Sequence, residues 1–242
     1  VENGALQEIF LERANRRGLI SNIYKGRVSR VLPGMQAAFV DIGLERTAFL
    51  HASDIVHPAV GENGQPDQPV DEGRATDIQS LVSEGGEILV QVLKDPLGTK
   101  GARLTTFITL PSRYLVYMPK GRGIGISARI EDEAERHRLR ETTAMFVSPN
   151  EPGGYIVRTA AEGATADALR ADMMFLQKLW TVLSEKAAKT RPGNLVNEDL
   201  ALPVRVLRDV VSSGVDKVSV DHPETFQRMQ EFARTFMPDR AD

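Results

Sequence analysis

Two groups of side chains in this sequence have the types and spacing to do chemistry. The first is aromatic and basic. Phe39 and Phe49 fall on neighbouring predicted strands, Tyr24, Lys25, Arg27 and Arg30 on the strand before them, and Lys100 at the mouth of a later hairpin. Rings of this kind stack on nucleobases while cations follow the phosphates, at roughly 1–3 kcal/mol per stacked base. Spacing does not say which way the rings point. Ala38 and Val40 flank Phe39, and Ala48 and Leu50 flank Phe49, so both neighbours are apolar and a place in the core is the default. The second group is Arg158-Thr159, at the end of a predicted strand and before a loop and a helix. A guanidinium and a hydroxyl there can grip a phosphate with help from backbone amides. From spacing alone, a solvated strand-end arginine is the default.

Other candidates are weaker. The glycine loop Gly121-Arg122-Gly123-Ile124-Gly125 matches neither the Walker nor the dinucleotide pattern, and a flexible turn is the better reading. His51, His57, His137 and His222 are dispersed, with no pair on one helix face. Asp41, Asp54 and Asp95 are turn or strand-end acids, read as structural. No Ser-His-Asp or paired-carboxylate arrangement stands out. The residues by themselves describe a binding module without a visible catalytic centre.

These side chains need elements to position them. Residues 5–11 are apolar and β-prone and read as a strand, and residues 12–17 as a connection. Further strands are predicted at 23–31, 37–41, 47–51, 87–94 and 102–108, with Gly26 marking a bulge or a barrel bend. Turn signals such as Leu32-Pro33-Gly34-Met35 separate them. Short strands punctuated this way predict a small closed barrel. Residues 57–75 hold almost no large apolar side chain and read as a mobile insertion; residues 77–82 read as one helical turn. The pattern then changes: a strand at 114–118, a helix at 131–146, a strand at 155–158 and a long amphipathic helix at 165–189. A helix at 199–212, a strand at 217–220 and a helix at 223–236 close the chain. Asp221 and Glu224 have capping-box spacing, and Pro223 suits a first helical position. The closing strand is placed to pair with residues 5–11, which would make the barrel an insertion within another fold.

Composition sets bounds. The 242 residues allow two or three domains, and 41% hydrophobic with 26% charged is ordinary for a globular protein. There is no cysteine, which excludes disulfides, thiolate metal sites and cysteine nucleophiles. No apolar run reaches the length of a membrane span, and the start has no signal-peptide pattern. The opening at Val1 reads straight into a strand-like run, so the chain is expected to be cut from something longer. The net charge of −3 does not advertise a nucleic-acid binder. Local segregation matters more: residues 13–30 carry six Lys or Arg and no acid, while residues 54–87 are mostly acidic.

Several long motifs, taken in order, are distinctive. They are Asn22-Ile23-Tyr24-Lys25-Gly26-Arg27-Val28, Met35-Gln36-Ala37-Ala38-Phe39-Val40-Asp41-Ile42-Gly43 and Phe49-Leu50-His51-Ala52-Ser53-Asp54-Ile55. The run from Lys94-Asp95-Pro96 through Lys100-Gly101-Ala102-Arg103 to Thr106, and Ile156-Val157-Arg158-Thr159-Ala160, complete the set. Together they resemble the amino-terminal part of the ribonuclease E/G family, nearest its ribonuclease G branch. The resemblance covers nearly the whole chain outside the insertion. It implies a single-strand-specific endoribonuclease of ribosomal RNA processing and messenger RNA decay. It further implies an RNase H-like subdomain interrupted by an S1 domain and a 5′-sensor.

By that resemblance Phe39, Phe49 and Lys100 hold RNA. Arg158 and Thr159 receive a 5′-monophosphate, with a backbone contact at Val116. Two positions depart from the ribonuclease E branch: Ser112 stands where it has a glycine, and Ala128, with Arg129 beside it, where it has a further sensor arginine.

The resulting expectation is an α+β, multi-subdomain chain. An S1-type OB β-barrel and an α/β 5′-sensor are inserted in a partial RNase H-like subdomain. The pieces are residues 1–20 and 201–242 for the RNase H-like part, 21–108 for the S1 barrel and 109–200 for the sensor. The partner is single-stranded RNA with a 5′-monophosphate. The magnesium ligands, and those of zinc as a second candidate, lie beyond this chain in the family, so the fragment is expected to bind no metal and to be inactive alone. A cytoplasmic location and a homo-oligomeric full-length enzyme are expected. The alternative is a non-catalytic S1-domain RNA-binding or translation-associated protein.

Overall fold

The structure, a computed structural model, describes residues 4–13, 17–56, 77–147, 152–211 and 215–236. The predicted insertion at 57–75 lies outside the described residues.

The barrel forms from β1 (Ile23–Leu32), β2 (Ala37–Asp41), β3 (Ala48–His51), β4 (Glu87–Lys94) and β5 (Arg103–Thr105). Its closed order is β1-β2-β3-β5-β4 and back to β1. Every pairing is antiparallel except β3 with β5. β1 closes the barrel because it is long enough to serve two neighbours. Its first half pairs with β4, from Ile23 opposite Gln91 to Arg27 opposite Glu87. Its second half pairs with β2, with a register shift between Val28 and Arg30. The interior is filled by Tyr24, Val28, Ala38, Val40, Ile42, Ala48, Leu50, Val90, Val92 and Leu104. The helical turn α1 (Ile78–Leu81) is started by Asp77, whose carboxylate accepts from the Gln79 amide at 3.2 Å, and buries Ile78 in the same core. Gly101 lets the last hairpin return against β3, since a Cβ there would lie 1.9 Å from the Thr47 carbonyl oxygen.

The buried side chain of Gln91 ties down the exit from the barrel. Its amide nitrogen donates to the carbonyls of Ser21 and Thr109, both at 3.1 Å, and its oxygen accepts from the Thr109 amide at 2.9 Å.

The chain then builds a second, four-stranded sheet. It contains β6 (Leu110–Pro111), β7 (Leu115–Met118), β8 (Ile124–Ile126) and β9 (Gly154–Val157) in the order β6-β7-β9-β8. Helices α2 (Glu133–Ala144) and α3 (Ala166–Lys189) pack on it and share a core of Leu115, Tyr117, Leu139, Tyr155, Leu169, Met173 and Leu176. Both helices begin on side-chain caps. Asp132 accepts from the Ala134 amide and Thr165 from the Ala168 amide, satisfying donors that have no intrahelical partner. The glycine-rich run is therefore more than a turn: Ile124–Ile126 runs parallel to β9. The approach needs glycine at 154, where a Cβ would meet the Arg122 backbone at 2.8 Å.

β10 (Asn194–Asn197), which the sequence pattern left unassigned, joins the two units. It pairs antiparallel with the start of β1 and puts Val196 beside Ile23 in the second core. The pleat of β1 sends the consecutive side chains of Ile23 and Tyr24 into different cores.

Two expected strands differ. Among the described residues neither 5–11 nor 217–220 is a strand, so the expected pairing between them does not form. Leu6, Ile9, Phe10 and Leu11 are exposed, and a strand without a ladder partner gains no hydrogen bonds to hold it extended. Glu12 does another job. α4 (Leu202–Val210) has no side-chain cap of its own, and Glu12 accepts from the Leu202 amide and from Arg205, at 2.9 and 2.8 Å. α5 (Pro223–Phe236) begins at Pro223 as predicted, but His222 takes the capping place, with Nδ1 facing the Thr225 amide at 3.4 Å. Asp221 lies one residue too early for that role. Val204, Leu207, Met229 and Ala233 hold α4 to α5.

Candidate nucleic-acid interface

The barrel decides which way the rings point. Ala38, Val40, Ala48 and Leu50 are fully buried in its interior, so the pleat turns Phe39 and Phe49 outward. Both rings are half-buried. They stand directly opposite each other on β2 and β3, with centroids 6.3 Å apart and planes at 69°. Next on β3, the His51 ring lies 6.5 Å from Phe49, and its Nδ1 is 2.8 Å from the Ser53 hydroxyl.

Following the register across the barrel extends this pair into a row. Arg30 pairs with Phe39, Phe39 with Phe49, Phe49 with Arg103, and Arg103 with Lys94. Five strands therefore present cation, ring, ring, cation, cation in one line on the outer face. Arg103 is oriented by Asp54, whose Oδ2 accepts from Nε at 3.0 Å and from a terminal nitrogen at 2.9 Å. Sequence reading passed over Arg103 and Lys94 because the parallel β3–β5 pairing is invisible in the linear pattern, and set His51 aside as one of four dispersed histidines. Asp54, read as a strand-end acid, supports the row through that ion pair. Lys100 is exposed in the β4–β5 hairpin, two residues before Ala102, whose carbonyl accepts from the Phe49 amide at 2.7 Å.

A second site gathers at the end of β9. Arg158 leads into a 3-10 turn, Thr159–Ala161, and its own amide donates to the Tyr114 carbonyl at 2.8 Å. Its guanidinium donates to the Ser112 carbonyl and lies 3.6 Å from Asp209 of α4. The Thr159 and Ser127 hydroxyls are 3.2 Å apart, and the Ser127 hydroxyl also accepts from the Arg129 amide at 3.3 Å. The Arg129 side chain is exposed. Val116 lies in the middle of the sheet, opposite Ile156 on β9 and Pro111 on β6. Ser112 enters the cluster through its carbonyl, because its side chain is fully buried elsewhere, with the hydroxyl 2.5 Å from Asp172. Asp172 also accepts from the amides of Tyr114 and Leu115, each at 2.9 Å, which closes the turn between β6 and β7. Burial pushes its carboxyl above the ordinary aspartate value, against the pull of these bonds. Ser127, Asp209 and Asp172 were missed by sequence reasoning, since each reaches the cluster from a distant segment.

Among the described residues no three His, Asp or Glu side chains are grouped to hold a metal ion. No described helix is long and apolar enough to cross a membrane.

Known proteins place this architecture. The model of the Ribonuclease E/G family matches residues 109–242. The chain is 49% identical over 244 residues to ribonuclease G of Haemophilus influenzae, covering 100% of this chain and 48% of that protein. It is 48% identical over 239 residues to ribonuclease G of Escherichia coli strain K12, covering 99% and 48%.

The chain belongs to the ribonuclease E/G family.

Ribonuclease E of Nostoc sp. is 39% identical over 232 residues, covering 96% of this chain and 32% of that protein. Identity is thus higher to these ribonuclease G members of the family. The chain spans about half their length. Among solved structures, GSP13 from Bacillus subtilis aligns over 36% of this chain and 54% of its own, at 25% identity and a TM-score of 0.25. The OB-type assignment of the barrel rests on its strand order and register.

Proposed function

We propose that this chain is the RNA-binding and 5′-end-sensing region of a single-strand-specific endoribonuclease of ribonuclease G type. The full enzyme would act in ribosomal RNA processing and messenger RNA decay. The observation that carries the reading is the registered row Arg30, Phe39, Phe49, Arg103 and Lys94. An unpaired strand can lay its bases on the rings while its phosphates meet the cations on either side. Duplex RNA, whose bases are already stacked and paired, has nothing to offer the rings.

In the same reading residues 21–108 are the S1 domain and 109–200 the 5′-sensor. Residues 1–20 and 201–242 are the two pieces of an RNase H-like subdomain. Arg158 supplies a charge-assisted hydrogen bond to a terminal phosphate, and the Thr159 hydroxyl a second donor. Val116 would add a backbone contact, with Ser112 through its carbonyl and Arg129 as neighbouring sensor positions. Arg158 is held ready by the Ser112 carbonyl, which lowers the ordering cost of binding. A monophosphate is preferred to a triphosphate. Magnesium, and zinc if it is used, is assigned to side chains outside this chain, as are cleavage itself and the contacts of a homo-oligomer. The setting is cytoplasmic.

The test uses 3′-labelled single-stranded RNA of one sequence with a 5′-hydroxyl or a 5′-monophosphate. Arg158→Ala is expected to abolish the tighter binding of the monophosphate while leaving the hydroxyl form bound as before. An unchanged preference would remove the sensor assignment. The chain alone, given magnesium, is expected not to cleave; cleavage would place the chemistry within it.

A further inference from the structure

Among the described residues, Asp209 is the acid that lies against the Arg158 guanidinium. It sits near the end of α4, where its two oxygens accept from Arg208 Nε at 2.8 Å and from a terminal nitrogen of Arg208 at 2.9 Å. Arg208 is only 8% exposed and also donates to the Pro111 carbonyl at 3.0 Å. The adjacent carbonyls of Pro111 and Ser112 therefore each hold one guanidinium, and Asp209 lies between the two as their shared counter-ion. Two cations and one anion leave the cluster with one unit of positive charge.

We infer that Asp209 is a specificity-determining residue that sets how strongly the site discriminates among 5′ ends by their charge. The inference rests on the reading of Arg158 as the phosphate contact. A 5′-monophosphate brings about −1.5 to −2 charges at neutral pH. A triphosphate brings more, and Coulomb repulsion from a fixed carboxylate grows in proportion to the charge of the ligand. Asp209 thus penalises every phosphorylated end and penalises the triphosphate most. It also offsets the repulsion between Arg208 and Arg158, which lets the two guanidiniums share one cluster. α4 reaches the sensor from a segment far along the chain, which makes the selectivity depend on the docking of α4 against β6.

The experiment measures binding of this chain to three 3′-labelled single-stranded RNAs of identical sequence with 5′-hydroxyl, 5′-monophosphate and 5′-triphosphate ends. Asp209→Asn keeps the shape and removes the charge. It is expected to tighten the monophosphate form several-fold and the triphosphate form by a larger factor, with the hydroxyl form unchanged. The monophosphate-to-triphosphate ratio then falls, and the change shrinks as salt is raised. Asp209→Glu is expected to keep the wild-type ratio. If Asp209→Asn does not fold, as read from its melting curve, Asp209→Ser is measured for the same ratio. An unchanged ratio, or a parallel shift of all three ligands, overturns the inference. Arg158→Gln separates the two levels. If it erases phosphate dependence while Asp209→Asn leaves the ratio alone, only the role of Asp209 fails. If phosphate dependence survives Arg158→Gln, the sensor reading fails with it.

Discussion

Phe39 on β2 and Phe49 on β3 face each other across one antiparallel pair, edge to face at 6.3 Å, on the outside of a barrel whose inside is packed by their immediate neighbours. Binding and stability can therefore be separated by moving one residue along a strand. Phe39→Ala or Phe49→Ala is expected to weaken single-stranded RNA binding by about tenfold, from stacking worth roughly 1–3 kcal/mol per base, with little loss of stability. Leu50→Ala, on the interior face, is expected to cost about 2–5 kcal/mol of folding free energy. Titration of labelled RNA and urea unfolding check the pair. Strong destabilisation by the phenylalanine variants, without loss of affinity, would return both rings to a structural role.

The cations of the row should show in the salt dependence. Single-strand binding loses about 0.7 in the slope of log K against log salt for each phosphate contact removed. Arg30→Gln and Arg103→Gln are each expected to flatten the slope by about that amount. Asp54→Asn frees Arg103 from its carboxylate. It should blur the geometry of that contact but also remove a negative charge beside the phosphates, so affinity changes less than in Arg103→Gln, with the slope nearly kept. Equal slopes for wild type and both arginine variants would place the phosphates elsewhere.

The turn that positions Ser112 makes a stability prediction. Asp172 accepts from the Ser112 hydroxyl and from the amides of Tyr114 and Leu115. Asp172→Ala strands these donors and should cost about 3 kcal/mol or more. Asp172→Asn keeps an acceptor oxygen and should cost much less. Because burial raises the folded pKa of Asp172, the neutral form is the one folding favours. Its contribution is complete below the ordinary aspartate pKa and is lost as pH rises through the raised value. The asparagine variant should therefore flatten that part of the stability curve. Denaturant midpoints at a series of pH values decide it; a steeper curve for Asp172→Asn would mean the ionised form is the stabilising one.

Glu135 has the opposite sign. Hydrogen bonds from Arg138, and then from the Gly163 amide, hold its carboxyl down to about 2. A depressed carboxylate stabilises the fold above its unfolded pKa, and that contribution disappears as pH falls from about 4.3 toward the folded value. Glu135→Gln should lose stability at neutral pH, modestly because the pair is near the surface, and show a flatter acid limb. Melting temperatures between neutral pH and acid give the comparison; identical acid limbs would show that the bond between α2 and the Gly163 loop adds nothing.

Local elements were largely legible. Residues 37–41 and 87–94 are short, mostly apolar runs bounded by turn residues, and β2 and β4 occupy those bounds. Pro223 marked the first turn of α5, because its ring supplies the helical φ and needs no amide donor. β8 and β10 were not legible. Each is a short run among glycines or asparagines, extended only because β9 or β1 offers a ladder. The apolar runs at 5–11 and 217–220 show the converse: beyond a single bridge at Ala5, β propensity without a ladder partner among the described residues makes no strand here.

The sequence by itself determined the barrel's punctuation, the helices and the motifs that mark the family, because turn chemistry, helix caps and long ordered motifs are written in neighbouring residues. The tertiary structure alone decided that Phe39 and Phe49 point outward, since apolar neighbours on both sides leave the pleat unsettled until the barrel closes. It alone joined Arg30, Arg103 and Lys94 to those rings, through a parallel pairing of strands far apart in the chain. And it alone brought Asp209 to Arg158, because side-chain charge acts over a few ångströms of space, whatever the separation along the backbone.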